Sequence, residues 1–182
     1  ELVNKYIPDM KKYVSGTGSP MYYAARIAKE KYPDAKIVFV GPCVAKRKEA
    51  QRDEAVDFVM TFEEVSSIFD AFEVNLEIVQ PYAMEFSSVR EAHGFAQAGG
   101  VMGAVKAFLK MEADKINAIQ VSDLNKKNIG TLRAYAKSGK APGQFIEVMA
   151  CEGGCITGPS THSGSNGKRQ LVQELAKQEK TY

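Results

Sequence analysis

Two cysteines set three residues apart, Cys151 and Cys155, lie in the stretch Glu147-Val148-Met149-Ala150-Cys151-Glu152-Gly153-Gly154-Cys155-Ile156-Thr157-Gly158. Thiolates are soft donors, suited to zinc, copper and iron–sulfur chemistry. The apolar run before them, from Phe145 to Ala150, reads as a buried strand. Gly153 and Gly154 would let the backbone come close to something bulky. The chain's third cysteine, Cys43, also ends an apolar run, Ile37 to Gly41. All three sulfurs therefore sit at the carboxyl ends of strand-like runs, where open α/β sheets place their ligands.

Taken as residues alone, the cysteines admit several readings. Free cysteine is commonly a small buried hydrophobe. A dithiol redox pair usually has two intervening residues, not three. A zinc site would need a fourth ligand besides Cys43, Cys151 and Cys155, from His93 or His162. Thiolate-rich sites also select iron–sulfur groups. An odd cysteine count argues against a disulfide framework and fits a reducing, cytoplasmic setting.

The elements that must position these sulfurs alternate between helix and strand. Leu2 to Tyr13 and Pro20 to Lys31 read as helices, the second with Ser19 as cap and Pro20 at its first position. Strands are predicted at Lys36 to Val40, Val56 to Met60, Ala118 to Val121 and Phe145 to Ala150. Thr61 and Glu64 form a capping-box pattern opening a helix to about Phe72. Further helices are predicted from Val101 to about Met111, from Asn125 to Lys137 and from Lys168 to Lys177. Asn75 to Gln97, with Pro81 and several aromatics, reads as a long loop or an excursion. This order predicts βαβ units, a mostly parallel four-stranded sheet with helices on both faces, and one α/β domain over residues 1–182.

Composition narrows the partners. With 182 residues, 45% hydrophobic and 25% charged, the chain has the make-up of a globular protein. Lys+Arg 24 against Asp+Glu 22 gives no reason to expect nucleic acid or an acidic membrane surface. No run approaches the roughly 18 apolar residues of a membrane span. The sequence opens directly on a helical pattern at Glu1, so it is expected to be part of a larger protein.

Around Cys43 the chain reads Gly41-Pro42-Cys43-Val44-Ala45-Lys46-Arg47-Lys48-Glu49. Together with Glu147-Val148-Met149-Ala150-Cys151-Glu152-Gly153-Gly154-Cys155-Ile156-Thr157-Gly158, this resembles the catalytic domain of the iron-only ([FeFe]) hydrogenases. Cys43, Lys46 and Glu49 match that family's second motif, Met-Pro-Cys-x-x-Lys-x-x-Glu. Glu147, Met149, Ala150, Cys151, Gly154, Cys155 and Gly158 match its third. The similarity extends to Ser19-Pro20-Met21, Val56 to Phe62 and Gly99-Gly100-Val101. The first motif, Thr-Ser-Cys-Cys-Pro, does not occur in this sequence; by the resemblance it would precede Glu1 by a few residues. It supplies the fourth cubane ligand, so this stretch alone would hold three of four cysteine ligands and is expected to be inactive by itself.

The resemblance implies one lobe of the catalytic domain and specific roles. Cys43 and Cys151 would bind a [4Fe-4S] cluster, and Cys155 would bridge it to a two-iron subsite bearing CO, cyanide and a dithiolate. Lys46 would donate to a cyanide, and Met149 would wall the two-iron unit. Glu49 is the last position of the second motif; on the residues alone it reads equally as a surface carboxylate or an i,i+3 partner of Lys46. The activity implied is 2H⁺ + 2e⁻ ⇌ H₂, or sensing of H₂. The partners implied are a ferredoxin-like electron donor or an upstream iron–sulfur domain, and hydrogenase maturation proteins. Gly41 replaces the family's methionine, and Gly158-Pro159-Ser160-Thr161 replaces a glycine-rich end. No counterpart is found for the usual proton path, although Glu85, Ser87, Ser88 and Glu91 are available. These departures resemble the sensory hydrogenases fused to PAS or other signalling domains. Two alternatives stay open: a protein with a [4Fe-4S] cluster alone, as in cytosolic iron–sulfur assembly factors, and a regulatory lobe that binds no metal.

Overall fold

The computed structural model describes residues 2–80, 82, 88–164 and 166–178. In chain order the elements are α1 (Leu2–Tyr6), a 3₁₀ turn (Pro8–Tyr13), α2 (Pro20–Lys31), β1 (Val38–Gly41), α3 (Ala45–Ala50), β2 (Phe58–Thr61) and α4 (Phe62–Ala71). They continue with α5 (Arg90–His93), a 3₁₀ turn (Gly94–Ala96), α6 (Gly100–Leu109) and a 3₁₀ turn (Lys110–Lys115). Then follow β3 (Ala118–Ser122), α7 (Lys126–Ser138), β4 (Phe145–Met149), a 3₁₀ turn (Cys155–Thr157) and α8 (Asn166–Ala176). The α/β class and the parallel strand direction agree with the sequence pattern.

The sheet does not. In place of four strands side by side, β1 pairs only with β2 and β3 only with β4, both parallel. The chain forms two compact units, each containing one of these ribbons. β-Branched runs announce strands but not their partners, and a βαβαβαβ order is compatible with one sheet or two.

The first unit comprises Gly16–Glu85 with Gly158–Gly164. Its ribbon puts Phe39 and Val59 against a core of Met21, Ala25 and Val56. The other face carries Val38, Val40 and Phe58, exposed at 46%, 40% and 58%. Two local signals hold this unit's helices. Ser19 accepts the Tyr22 N–H at 3.3 Å and starts α2. Thr61 and Glu64 form a reciprocal capping box, with Thr61 N–H to Glu64 Oε2 at 2.7 Å and Glu64 N–H to Thr61 Oγ1 at 3.2 Å.

The second unit comprises Glu1–Ser15, Phe86–Thr157 and Ser165–Tyr182. Leu132 of α7 and Val121 of β3 meet Ile7, Met10 and Ala136 in its core, with Ile146 of β4 packed against them. The predicted helix over Leu2 to Tyr13 is split: α1 ends at Tyr6 and a 3₁₀ turn begins at Pro8. Pro8 has no N–H to donate back and its ring crowds the preceding turn. Buried Ile7 occupies the break. α7 starts at Asn125, whose side chain accepts the Asn128 N–H at 2.9 Å, and ends at Gly139, where φ is +66°.

Candidate functional site

In the first unit, Cys43 stands two residues beyond the last residue of β1. The Cys43 carbonyl accepts the Lys46 N–H at 3.2 Å, which turns the chain into α3. This helix went unpredicted because Lys46 to Glu54 is nearly all charged and shows no apolar period. It has a chemical consequence, since it brings Lys46 and Glu49 onto one side. Lys46 Nζ donates to Glu49 Oε2 at 2.6 Å, with the two side chains 26% and 35% exposed. Ser19, thirty residues away, donates its hydroxyl to Glu49 Oε1. Burial alone would push the Glu49 carboxyl up. The hydrogen bonds from Lys46 and Ser19, with the charges of Lys46 and Arg52, outweigh it and hold the group below its usual range. Arg47 turns the other way, its Nη2 lying 2.5 Å from Glu64 Oε1.

The divergent tail Gly158-Pro159-Ser160-Thr161 also belongs to this unit. Thr161 closes a turn on the Gly158 carbonyl, at 3.3 Å from its N–H and 2.9 Å from its hydroxyl. Buried Ser160 donates its N–H to the Pro42 carbonyl at 3.3 Å. Residues just past the third motif are thus fastened to the residue before Cys43. Gly41 is buried, and a Cβ there would lie 2.6 Å from Cε1 of Phe39. The methionine of related sequences could enter only if that ring moved.

In the second unit, Cys151 likewise stands two residues beyond the end of its strand, β4. Ser122 at the end of β3 donates its hydroxyl to the Cys151 carbonyl at 3.3 Å and accepts the Gly153 N–H at 3.1 Å. Gly154 returns its N–H to the Cys151 carbonyl at 3.1 Å, and the chain then enters the turn Cys155–Thr157. Thr157 completes the loop by donating its hydroxyl to the Gly154 carbonyl at 3.0 Å. Gly153 and Gly154 have φ of +79° and +101°. The neighbour that Gly154 must admit is the chain itself, because a Cβ there would lie 2.4 Å from Ala98 N and 2.6 Å from Gln97 C. Gly154 thus answers to the backbone of residues 96–98, whereas a Cβ on Gly153 would meet the Thr157 side chain at 3.1 Å.

Glu147 is the best-buried residue of β4, at 5% exposure. Its two carboxylate oxygens accept the N–H groups of Gly99 and Met102, each at 2.7 Å. A strand residue therefore caps α6, and its negative charge lies where the helix dipole favours it. Val148 instead is 42% exposed. Met149 is half-buried, pairs in register with Ser122, and alternates onto the same face as Glu147.

Cys43, Cys151 and Cys155 are all half-buried. Cys43 belongs to one unit, and Cys151 and Cys155 to the other. His93 lies with the latter pair and His162 with the former residue; both are exposed. Among the described residues of either unit, no three His, Cys, Asp or Glu side chains gather into a metal-holding group. Glu85 and Ser87 lie outside the described residues. Glu91, on α5, has a fully buried Oε2 with no hydrogen-bond partner among the described residues. No helix among those residues is long and apolar enough to cross a membrane. In kind, the donors suit iron–sulfur chemistry: within its own unit each cysteine is a partly buried sulfur, and Cys43 has an ammonium one helical turn away.

Residues 1–159 match the family described as iron only hydrogenase large subunit, C-terminal domain. The chain is 27% identical over 221 residues to a cytosolic Fe-S cluster assembly factor, narfl, of Danio rerio, covering 92% of this chain and 54% of that protein. It is 28% identical over 203 residues to iron hydrogenase 1 of Clostridium pasteurianum, covering 84% and 34%. Of that assembly factor the chain thus spans about half, and of that hydrogenase about a third. An apo [FeFe]-hydrogenase of Chlamydomonas reinhardtii superposes with a TM-score of 0.67 at 21% identity, covering 96% of this chain and 62% of that one. With its α/β fold shared and its two cysteine motifs inside the matched region, the chain belongs to the family of C-terminal domains found in iron-only hydrogenases.

Proposed function

We propose that this domain holds an iron–sulfur group of the hydrogenase type through Cys43, Cys151 and Cys155. Cys43 and Cys151 are assigned to a [4Fe-4S] cluster and Cys155 to the bridge toward a two-iron subsite carrying CO, cyanide and a dithiolate. When bound, that group would supply the interconversion of two protons and two electrons with H₂. The protein's share is electrostatic and steric. Lys46 offers an ammonium to an anionic ligand, Glu49 restrains that ammonium, and Met149 supplies a soft apolar wall. The observation that carries this reading is the Lys46–Glu49 pair at 2.6 Å, one turn beyond Cys43. A cluster bound by thiolates alone gives a lysine there nothing to hold; an anionic diatomic ligand does. Electrons would come from a ferredoxin-like donor or an iron–sulfur domain of the parent protein, and the two-iron unit from maturation proteins. A signalling output through a PAS or similar domain, and a cytoplasmic location, belong to the same proposal.

A second reading has support of its own. The Danio rerio relative is a cytosolic Fe-S cluster assembly factor, and Gly41 withholds the methionine side chain that opens the second motif. On that reading the domain carries a [4Fe-4S] cluster only, in an assembly or regulatory role.

One anaerobic experiment separates the two. The chain is reconstituted with ferrous iron and sulfide, with excess small thiol to supply a fourth thiolate, and then given a synthetic two-iron precursor. Infrared bands of metal-bound CO and cyanide support the hydrogenase reading. A cubane EPR signal without such bands supports the second. If neither appears while zinc or no metal binds, both are overturned.

A further inference from the structure

Lys46 sits on α3, a helix of six residues with no side-chain cap, at the end of a flexible four-carbon stem. Nothing in its own backbone aims the ammonium. Glu49 does so through Oε2, three residues along the same short helix. A carboxylate on so short an element needs its own anchor, and its other oxygen has one in the Ser19 hydroxyl. Ser19 is well fixed. Its oxygen accepts the Tyr22 N–H, Pro20 locks the first residue of α2, and the Tyr22 ring covers the preceding residue, so closely that a Cβ on Gly18 would lie 2.4 Å from Cδ1. The chain of contacts thus runs from a capped twelve-residue helix through one hydroxyl and one carboxylate to the ammonium.

We propose that Ser19 is a positioning residue for Lys46: by donating to Glu49 it fixes the carboxylate that orients the ammonium. This deepens the reading of Lys46 as the donor to an anionic ligand, by naming what sets its direction. Glu49 engages one of the three ammonium donors, so Lys46 can serve a second acceptor at the same time. The charge of Arg52 also favours the negative form of Glu49. Ser19 acts through Glu49, the acceptor of its hydroxyl.

The test separates the capping role of Ser19 from its positioning role. Glycine is a tolerated N-cap, yet it has no hydroxyl. Threonine retains both cap and donor. In the metal-free 182-residue chain, the Glu49 carboxyl is titrated by ¹³C NMR and the Lys46 ammonium is observed through its ¹⁵N–¹H resonance, which survives only where hydrogen bonding slows exchange. In Ser19→Gly the Glu49 titration moves up toward the ordinary carboxylate range and the Lys46 signal is lost, while the melting transition stays near that of the parent. Ser19→Thr restores both readouts. Ser19→Ala gives the same comparison should glycine beside Gly18 loosen the loop. Unchanged Glu49 titration and an unchanged Lys46 signal in the folded glycine or alanine variant overturn the proposal. Every readout is taken without iron, so failed cluster reconstitution leaves this result standing, and failure here leaves the cysteine assignment standing.

Discussion

The Glu147 carboxylate holds the backbone N–H of Gly99 at 2.7 Å across forty-eight residues of chain. With Met102 N–H on its second oxygen, it joins β4 to the start of α6 four residues before Cys151. Two partly buried donors depend on it, and leaving a buried donor unsatisfied costs about 1–3 kcal/mol. Glu147→Gln keeps one acceptor and is expected to lower unfolding free energy by about 1–3 kcal/mol. Glu147→Ala strands both donors and opens a void, for about 3–5 kcal/mol. Urea unfolding followed by circular dichroism measures both, and faster amide exchange at Gly99 and Met102 locates the damage. Equal stability of all three proteins would remove the cap from the account.

Gly154→Ala tests the turn that carries the two paired cysteines. The position has φ of +101°, and its Cβ would lie 2.4 Å from Ala98 N, a backbone atom that cannot swing aside. Alanine there is expected to destabilise by more than about 2 kcal/mol. Gly103→Ala is the control, because nothing lies within 4 Å of a Cβ there and the residue is inside α6, so it should be neutral or stabilising. Thermal melts of the pair check the contrast.

Asp57 sets part of the response to acid. The Ile37 N–H at 2.8 Å, then Lys36 at 3.0 Å and Lys29 at 3.3 Å, outweigh the opposing effect of burial and lower its carboxyl from 3.8 to about 2. A depressed folded-state value means that the unfolded chain takes up the proton first. The contribution is therefore present above about pH 4 and is lost as pH falls toward about 2. Asp57→Asn should lower stability at neutral pH and flatten the pH–stability curve within that window. Denaturant midpoints collected from pH 7 to pH 2 show whether the wild-type slope there exceeds the variant's.

Cys155→Ala bears on the proposed bridge. Cluster reconstitution of this variant with added thiol should still give a cubane signal, whereas addition of the two-iron precursor should give no metal-carbonyl or cyanide infrared bands. Bands of wild-type intensity in the variant would remove Cys155 from that role.

Several local features were legible in the sequence because their signals are chemical and short in range. Thr61 with Glu64, Ser19 with Pro20, and Asn125 each name a helix start without reference to anything distant, and each is found there. Longer-range outcomes were not. Strand-like runs cannot say which strand they pair with, so the single four-stranded sheet became two ribbons. The run from Phe145 to Ala150 read as a buried strand, but Val148 within it is exposed, and Glu147 is buried because N–H donors from a helix start take its carboxylate. The candidate site residues came from two cysteine motifs and the roles that the family resemblance implies for them. Their supports, Ser19 for Glu49 and Ser122 for the Cys151 turn, lie thirty and twenty-nine residues away in sequence, and nothing local to either serine names that partner.

The uncovered side of the β1–β2 ribbon has a consequence for the molecule in solution. Val38, Val40 and Phe58 form a small greasy plate on a parallel pair of strands, and parallel strands ordinarily have cover on both faces. Water meets that plate directly, so hydrophobic dyes should fluoresce on it, and concentrated samples should cloud sooner as temperature or salting-out strength rises. Replacing Phe58 by a hydrophilic residue should improve colloidal behaviour while leaving the opposite, core-facing side of the ribbon undisturbed.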